Sequence, residues 1–335
     1  MRMDLNTVFL QEGRRFLITD NVPDGFLKKF DEIQYEVDYY PELYNNTLSE
    51  IIHHYEGIVM STFITLDAEM LSKAKNLKYV LRPGSGLDNI DLNYCKSNGI
   101  LVFNSPEANK DSVGEHAIGI LLSLLNNIPR SVEEVKKHIW KREANKGTEI
   151  KNKTIGIIGY GNTGKAIAKK LSGFDAHLLA YDKYVHDYEY YVKKSTLEEI
   201  FSQADIITIH VPLTPETYHM VDERFISKFK KTIYIINTAR GKIVDTKALL
   251  SSIKKGRISG AALDVLENEN LSSYTEDENK ILDDLIETGK CIITPHIAGW
   301  TTEARENIFY FVLQKFQDYL SSLELMNDKD VHKVK

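Results

Sequence analysis

The chain has 335 residues, 42% hydrophobic and 27% charged, with 19 Gly and 8 Pro; that length suits about two domains, and the composition excludes collagenous and disordered classes. Forty-eight acidic against 42 basic residues leave a net charge of −6, which excludes the broad basic footprint of a nucleic-acid-binding protein. Cys95 and Cys291, the two cysteines, stand far apart and outside any C-x-x-C pair, against both a disulfide framework and a structural zinc site.

The N-terminal stretch MRMDLNTVFLQEGRR has no apolar targeting segment, so the expected location is the cytoplasm. From 14 to 104, apolar runs alternate with polar, helix-compatible stretches: RRFLIT (14–19), EGIVMS (56–61), LKYVLR (77–82) and ILVFN (100–104). This alternation predicts a first, smaller α/β unit. DSVGEHAIGILLSLLNN (111–127) reads as a helix capped by Asp111 or Ser112 with Glu115 in its first turn, and Pro129 stops or restarts it. The apolar stretch 117–125 spans nine residues, short of the ~20 needed to cross a membrane, and is expected to be buried.

Six strand-like runs follow: TIGIIG (154–159), HLLAYD (177–182), DIITIHV (205–211), TIYIINT (232–238), ISGAALDV (258–265) and CIITP (291–295). Each gap is long enough for a crossover helix, and the runs are apolar throughout, as strands covered on both faces must be. A doubly wound Rossmann sheet is predicted. The segment 301–320 places Ile308, Phe311, Val312, Phe316 and Leu320 at helical spacing, and the tail from Asn327 is expected to fray.

Gly159-Tyr160-Gly161-Asn162-Thr163-Gly164 follows an apolar strand directly and precedes the helix-compatible KAIAKKL. In a G-x-G-x-x-G the first glycine permits a tight turn, the second a close approach to pyrophosphate, and the third helix–strand packing. Asp182 ends the next strand, 18 residues past Gly164, where a carboxylate accepts from both ribose hydroxyls and repels a 2′-phosphate. The predicted cofactor is therefore NAD rather than NADP.

Three further segments sit at or just past strand ends, the edge where open α/β sheets bind ligands: Asn237 to Gly241, Asp264 to Glu269 and Thr294 to Gly299. Arg240 suits bidentate grip of a carboxylate. His296 suits proton transfer near neutral pH, with Glu269 orienting the imidazole. Taken singly, each also suits a plain surface role.

The order of RPGSGLDNIDL (82–92), SVGEHAIGILL (112–122), GIIGYGNTG (156–164), HVPLTPET (210–217), NTARGKIVD (237–245), AALDVLENE (261–269) and TPHIAG (294–299) resembles the D-isomer-specific 2-hydroxyacid dehydrogenase family, which includes phosphoglycerate, glycerate, D-lactate and formate dehydrogenases. The resemblance implies two Rossmann-like doubly wound domains. Residues 1–104 with 299–335 would form a split, flavodoxin-like substrate-binding domain, and 105–298 the NAD-binding domain inserted into it. It implies Arg240 as the carboxylate arginine, His296 as acid–base and Glu269 as its acid. It also implies that backbone amides around Gly84, Ser85 and Gly86 hold the substrate carboxylate and that Asp264 holds the nicotinamide carboxamide. Thr238 and Ala239 would line that ring, with Val211, Pro212, Thr217 and Gly299 completing the NAD site together with Gly159, Gly161, Asn162, Thr163, Gly164, Asp182 and His296. The helix from Ser112 resembles a dimerisation arm, so its GILLSLL face is expected to meet a second subunit.

The family's usual D-V-F-x-x-E-P departs here at Leu266 and Asn270, so the choice of Glu269 over Glu267 rests on spacing from Asp264. Met60 stands where the phosphoglycerate branch often has an Arg, although Arg82 remains. The expected function is interconversion of a small 2-hydroxy acid and its 2-oxo acid, with D-3-phosphoglycerate among the candidates. Met60, Phe63, Arg82 and Trp300 are the expected side-chain selectors. The alternatives are a glyoxylate/hydroxypyruvate reductase and a non-enzymatic, NAD-sensing corepressor-like module, which would bind peptides without turnover. No metal ligand set is predicted, and membrane or nucleic-acid partners are not expected. No accessory domain is expected after the last helix.

Overall fold

Every strand of the first sheet runs parallel to its neighbours, in the order β2-β1-β3-β4-β5. These are β1 Arg15–Ile18, β2 Glu36–Tyr39, β3 Gly57–Val59, β4 Tyr79–Arg82 and β5 Leu101–Asn104. The computed structural model describes residues 14–60 and 62–331; the N-terminal stretch scanned for targeting signals lies outside them up to residue 13. The chain divides into two units: one runs to Asn109 and resumes at Thr302, the other is Lys110–Thr301. The divisions thus fall at 109 and 301 rather than 104 and 298, because helix Lys110–Leu125 packs as a whole with the second unit and helix Thr302–Val331 with the first.

Successive residues of a strand point to opposite faces, and both faces of the first sheet are covered. Phe16, Ile18, Val59 and Leu81 pack with Phe26, Phe30 and the C-terminal helix's Phe309, Val312, Leu313 and Phe316. Leu17, Ile58 and Val80 pack on the other side with Leu48, Ile52, Leu71 and Cys95. β2 escaped the sequence reading because Glu-Val-Asp-Tyr is a polar edge strand, held to β1 by Arg15–Asp38 at 2.8 Å. The C-terminal helix departs from expectation twice. It continues to Val331 instead of fraying at Asn327, and Phe311 is 44% exposed while Phe309 and Leu313 are buried.

The second sheet is also wholly parallel, ordered β12-β11-β10-β9-β6-β7-β8. Its strands are β6 Thr154–Ile158, β7 His177–Tyr181, β8 Val192–Lys194, β9 Ile206–Ile209, β10 Ile233–Asn237, β11 Ile258–Leu263 and β12 Cys291–Ile293. Six were predicted; β8 is a further short edge strand whose Lys193 and Lys194 hid it from a hydrophobic scan. The order reverses between β6 and β9, so the turns after these strands open a crevice at the carboxyl edge, the place such sheets bind ligands. Helix Asn162–Leu171 follows β6 directly.

Helix Lys110–Leu125 buries Ala117, Ile118, Ile120, Leu121 and Leu125 in the second unit's own core, against Ile155, Ile157, Ile167 and Leu171. Ile120, Leu121 and Leu125 of GILLSLL are thus turned into the unit's own core, while Gly119 is exposed and Leu122, Ser123 and Leu124 are half-buried. Ser112 is not a cap; its hydroxyl donates to Ala298 O at 2.7 Å, and Asp111 pairs with Lys170 at 2.8 Å. Pro129 restarts the helix, since Asn127 takes a left-handed turn (φ 52°) and Ile128–Lys136 is helical again.

Candidate active site

In the turn after β6, Gly159 has φ +93°, and a Cβ there would lie 2.6 Å from the carbonyl carbon and oxygen of His210. A Cβ on Gly164 would lie 2.1 Å from Gly159 O, whereas one on Gly161 would meet nothing within 4 Å. The outer two glycines are thus required by close packing, and the middle one leaves open space before the backbone, a cradle that fits a pyrophosphate. Helix Asn162–Leu171 starts at this point, with Asn162 and Thr163 in its first turn, so its positive end meets the same space.

Asp182, after β7, is more than a solvated strand end. Its Oδ2 accepts from Tyr160 N at 2.7 Å, and its Oδ1 from Tyr184 N and Val185 N at 2.8 and 3.0 Å. Burial pushes this carboxyl up, but the three backbone donors outweigh burial and hold it below the usual carboxylate range. It remains charged and orders the glycine turn. Neighbouring Lys183 is drawn to Glu216 at 2.9 Å.

After β9, Thr217 closes a turn by donating to Pro212 O at 2.7 Å and accepting from Thr214 N at 2.8 Å, while Val211 packs on the core. After β10, fully buried Asn237 knots the Asn237–Gly241 loop, accepting from Ala239 N at 3.0 Å and donating to Arg240 O at 2.9 Å. Thr238 Oγ1 is buried without a hydrogen-bond partner, an orphan of the kind a bound group would satisfy.

His296 Nδ1 lies 2.8 Å from Glu269 Oε2, both side chains about half exposed. Glu267 is committed elsewhere, 2.6 Å from His219 Nε2 and accepting from Thr246 N at 2.7 Å. The hydrogen bond that His296 Nδ1 donates to Glu269 raises the histidine above its ordinary value; burial and the nearby Arg240 charge oppose it without cancelling it. Arg240 Nη1 donates to Ala239 O at 2.7 Å, and its charge is felt at His296.

Asp264, whose side chain is fully buried, accepts from Thr294 Oγ1 at 2.5 Å, Ile297 N at 2.9 Å and Ala298 N at 2.8 Å, with His116 Nε2 at 3.3 Å. Burial raises its carboxyl, but these donors together bring it below the usual range. Its own backbone oxygen accepts from His296 N at 2.8 Å. The donors seen on this carboxylate come from the 294–298 loop and His116, three of them on Oδ1 and one, Ala298 N, on Oδ2. Gly299 lies in the turn closed by Trp300 N to Ile297 O at 2.9 Å. Sequence reading missed Ser112, His116, Thr294 and His219 as partners here. The segment SVGEHA reads as a helix start, and nothing local to it shows which loop it grips.

In the first unit, Gly84 has φ +123° and its N–H donates to buried Ser105 Oγ at 2.8 Å. That amide is spent inward, a correction to the expected role of Gly84. Ser85 Oγ donates to Asn109 Oδ1 at 2.8 Å, and Asn104 braces Ser85 O at 2.9 Å. Among the described residues no group of three or more His, Cys, Asp or Glu could hold a metal, and no helix is long and apolar enough to cross a membrane.

Comparison with known proteins meets this geometry. Residues 118–298 match the family model described as D-isomer specific 2-hydroxyacid dehydrogenase, NAD binding domain. Over 254 residues the chain is 35% identical to D-3-phosphoglycerate dehydrogenase of Mycobacterium leprae, covering 75% of this chain and 46% of that protein. Over 273 residues it is 34% identical to hydroxypyruvate reductase of Thermotoga maritima, covering 82% and 87%. The structure of D-lactate dehydrogenase from Aquifex aeolicus, with NAD and lactic acid, aligns at TM-score 0.79 and 31% identity over 94% of this chain and 98% of that one. The chain spans about half the length, 46% to 51%, of the phosphoglycerate dehydrogenases it matches.

Proposed function

Because this chain belongs to the D-isomer-specific 2-hydroxyacid dehydrogenase family, we propose that it is an NAD-dependent oxidoreductase interconverting a small D-2-hydroxy acid and its 2-oxo acid. The observation that carries the reading is the His296–Glu269 pair at 2.8 Å, within the field of Arg240, at the carboxyl edge of the nucleotide-binding sheet. The glycine turn, Asp182 and the orphaned Thr238 hydroxyl fit NAD, which when bound supplies or accepts a hydride at C2 of the substrate.

The residues divide the remaining work. Arg240 holds the substrate carboxylate; in the first unit the Ser85 and Gly86 amides offer an anion site of their own. In reduction, His296 gives the proton on Nε2 to the oxygen that becomes the hydroxyl; in oxidation it takes that proton back. Glu269, on Nδ1, fixes the ring and stabilises the imidazolium. Of the expected side-chain selectors, Phe63 and Trp300 are exposed, Arg82 is 9% exposed, and Met60 is fully buried in the first unit's core and so is set aside; phosphorylated and plain 2-oxo acids are both in scope, as relatives named for phosphoglycerate and hydroxypyruvate indicate. The test is NADH oxidation with phosphohydroxypyruvate, hydroxypyruvate, glyoxylate, pyruvate and bulkier 2-oxo acids. Turnover of one or more is expected; NADH binding without turnover on any of them would favour the corepressor-like module.

The proposal includes a homodimer, but through a different face from the one expected. Ile128, Val132, Val135, Ile139 and Trp140 are each 36% to 85% exposed along one side of the restarted helix and the residues after it, an apolar stripe of the kind a second subunit covers. Light scattering should show a dimer that Val132→Asp with Trp140→Asp dissociates; a monomeric wild type would end this part. A cytoplasmic setting is supported by the free thiols of Cys95 and Cys291 and by the need for the intracellular nicotinamide pool.

A further inference from the structure

Helix Lys110–Leu125 presents two polar side chains, one turn apart, to the loop that carries His296. Ser112 Oγ, 9% exposed, donates to Ala298 O at 2.7 Å. His116 Nε2 lies 3.0 Å from Thr294 Oγ1 and 3.3 Å from Asp264 Oδ1. The direction of these bonds follows from counting protons. The ionised Asp264 only accepts, and the single Thr294 hydroxyl proton goes to it at 2.5 Å. Thr294 Oγ1 must therefore accept from His116, which places a proton on Nε2; the longer contact to Asp264 requires the same proton.

The loop so held has an unfavourable backbone. His296 stands at φ 53°, in the left-handed region that a residue with a Cβ adopts only when its surroundings impose it. The restraints at Thr294, Ile297 and Ala298 bracket it on both sides. The same helix packs closely on the helix that follows the glycine turn: a Cβ on Gly114 would lie 3.2 Å from Lys170 Cε and 3.4 Å from Ile167 N, both on helix Asn162–Leu171.

We propose that Ser112 and His116 are positioning residues for His296: His116, through Thr294 and Asp264, fixes the acid–base histidine in its left-handed turn, and Ser112 fastens the far side of the loop. The loop anchor stands on geometry alone; its effect on catalysis rests on the proposed dehydrogenase reading. Partners of this outer kind set the orientation of a reacting group without touching substrate.

Replacing His116 by Gln keeps an N–H donor near the place of Nε2, Asn moves it to the place of Nδ1, and Leu removes it. His116→Leu and His116→Asn should lower kcat for 2-oxo acid reduction ~10- to 100-fold, leave the KM for NADH within about twofold, and His116→Gln should recover kcat to within about threefold of wild type. Amide hydrogen exchange over 291–300 should quicken in the Leu and Asn variants and in Ser112→Ala, and stay near wild type with Gln. Wild-type kcat and exchange in His116→Asn, or equal losses in Gln and Asn, would overturn the proposal. If His116→Leu does not fold, the Gln–Asn contrast decides alone. A wild type with no turnover on any 2-oxo acid would defeat the dehydrogenase reading instead, and amide exchange would then still test the anchor.

Discussion

Asp264 and Glu269 leave the end of β11 in one short loop, yet the fold gives the two carboxylates opposite surroundings. Asp264 is fully buried and met by donors from Thr294, Ile297, Ala298 and His116. Glu269 is nearly half exposed and faces the imidazole of His296. The first is a charged peg on which a loop hangs; the second acts on the proton of its partner. Sequence proximity and shared chemistry do not imply a shared job, because a carboxylate's role follows from which donors reach it and whether water can compete.

The contrast can be broken at its shared target first. His296→Ala should reduce kcat ~10²- to 10⁴-fold, the usual worth of a positioned acid–base group, in a steady-state NADH assay. Unchanged kcat would deny both carboxylates a catalytic purpose. Next comes the peg. Asp264→Ala leaves buried donors unsatisfied and should cost about 1–3 kcal/mol of stability, read as a lowered Tm, whereas Glu269→Gln, an exposed pair, should cost about 1 kcal/mol or less. Equal losses would erase the distinction.

The smallest effect is the most specific to Glu269. Its hydrogen bond raises His296, so reduction, which needs the imidazolium, should persist to higher pH than an ordinary histidine allows and fade as pH rises through the raised value. The stabilisation linked to this pair has the same sense: complete below the unfolded-state value and lost as pH rises through the folded one. Glu269→Gln should move the alkaline limb of kcat for reduction to lower pH. A limb left in place would mean that the histidine is tuned by something else.

Much of this was legible before any coordinates. The strands of the second sheet announced themselves as apolar runs, because a parallel strand covered on both faces cannot alternate. Gly159, Gly161 and Gly164 were readable from their spacing after a strand, although only the Gly164–Gly159 collision lies within the turn itself; Gly159 is dictated by His210 across the sheet edge, and Gly161 leaves its space open. The polar strands β2 and β8 were not, since edge strands owe their place to a neighbour's hydrogen bonds rather than to their own hydrophobicity. Likewise, GILLSLL reads as apolar and buried, but nothing in it says whether its own sheet or a second subunit covers it.

The residue types of the candidate site, an Arg, a Glu and a His each at a strand end, were determined by the sequence, together with the order of the strands that bear them. Which acid meets the histidine was decided only in three dimensions: Glu269 reaches Nδ1, while Glu267 turns to His219 and Thr246. So were the inward use of the Gly84 amide, the donors on Asp264 and the grip of Ser112 and His116 on a loop more than 170 residues away. The physical reason is range. Periodicity, turn chemistry and glycine sterics act between near neighbours along the chain, whereas a hydrogen bond's partner is chosen by whichever donor the packing brings within about 3 Å.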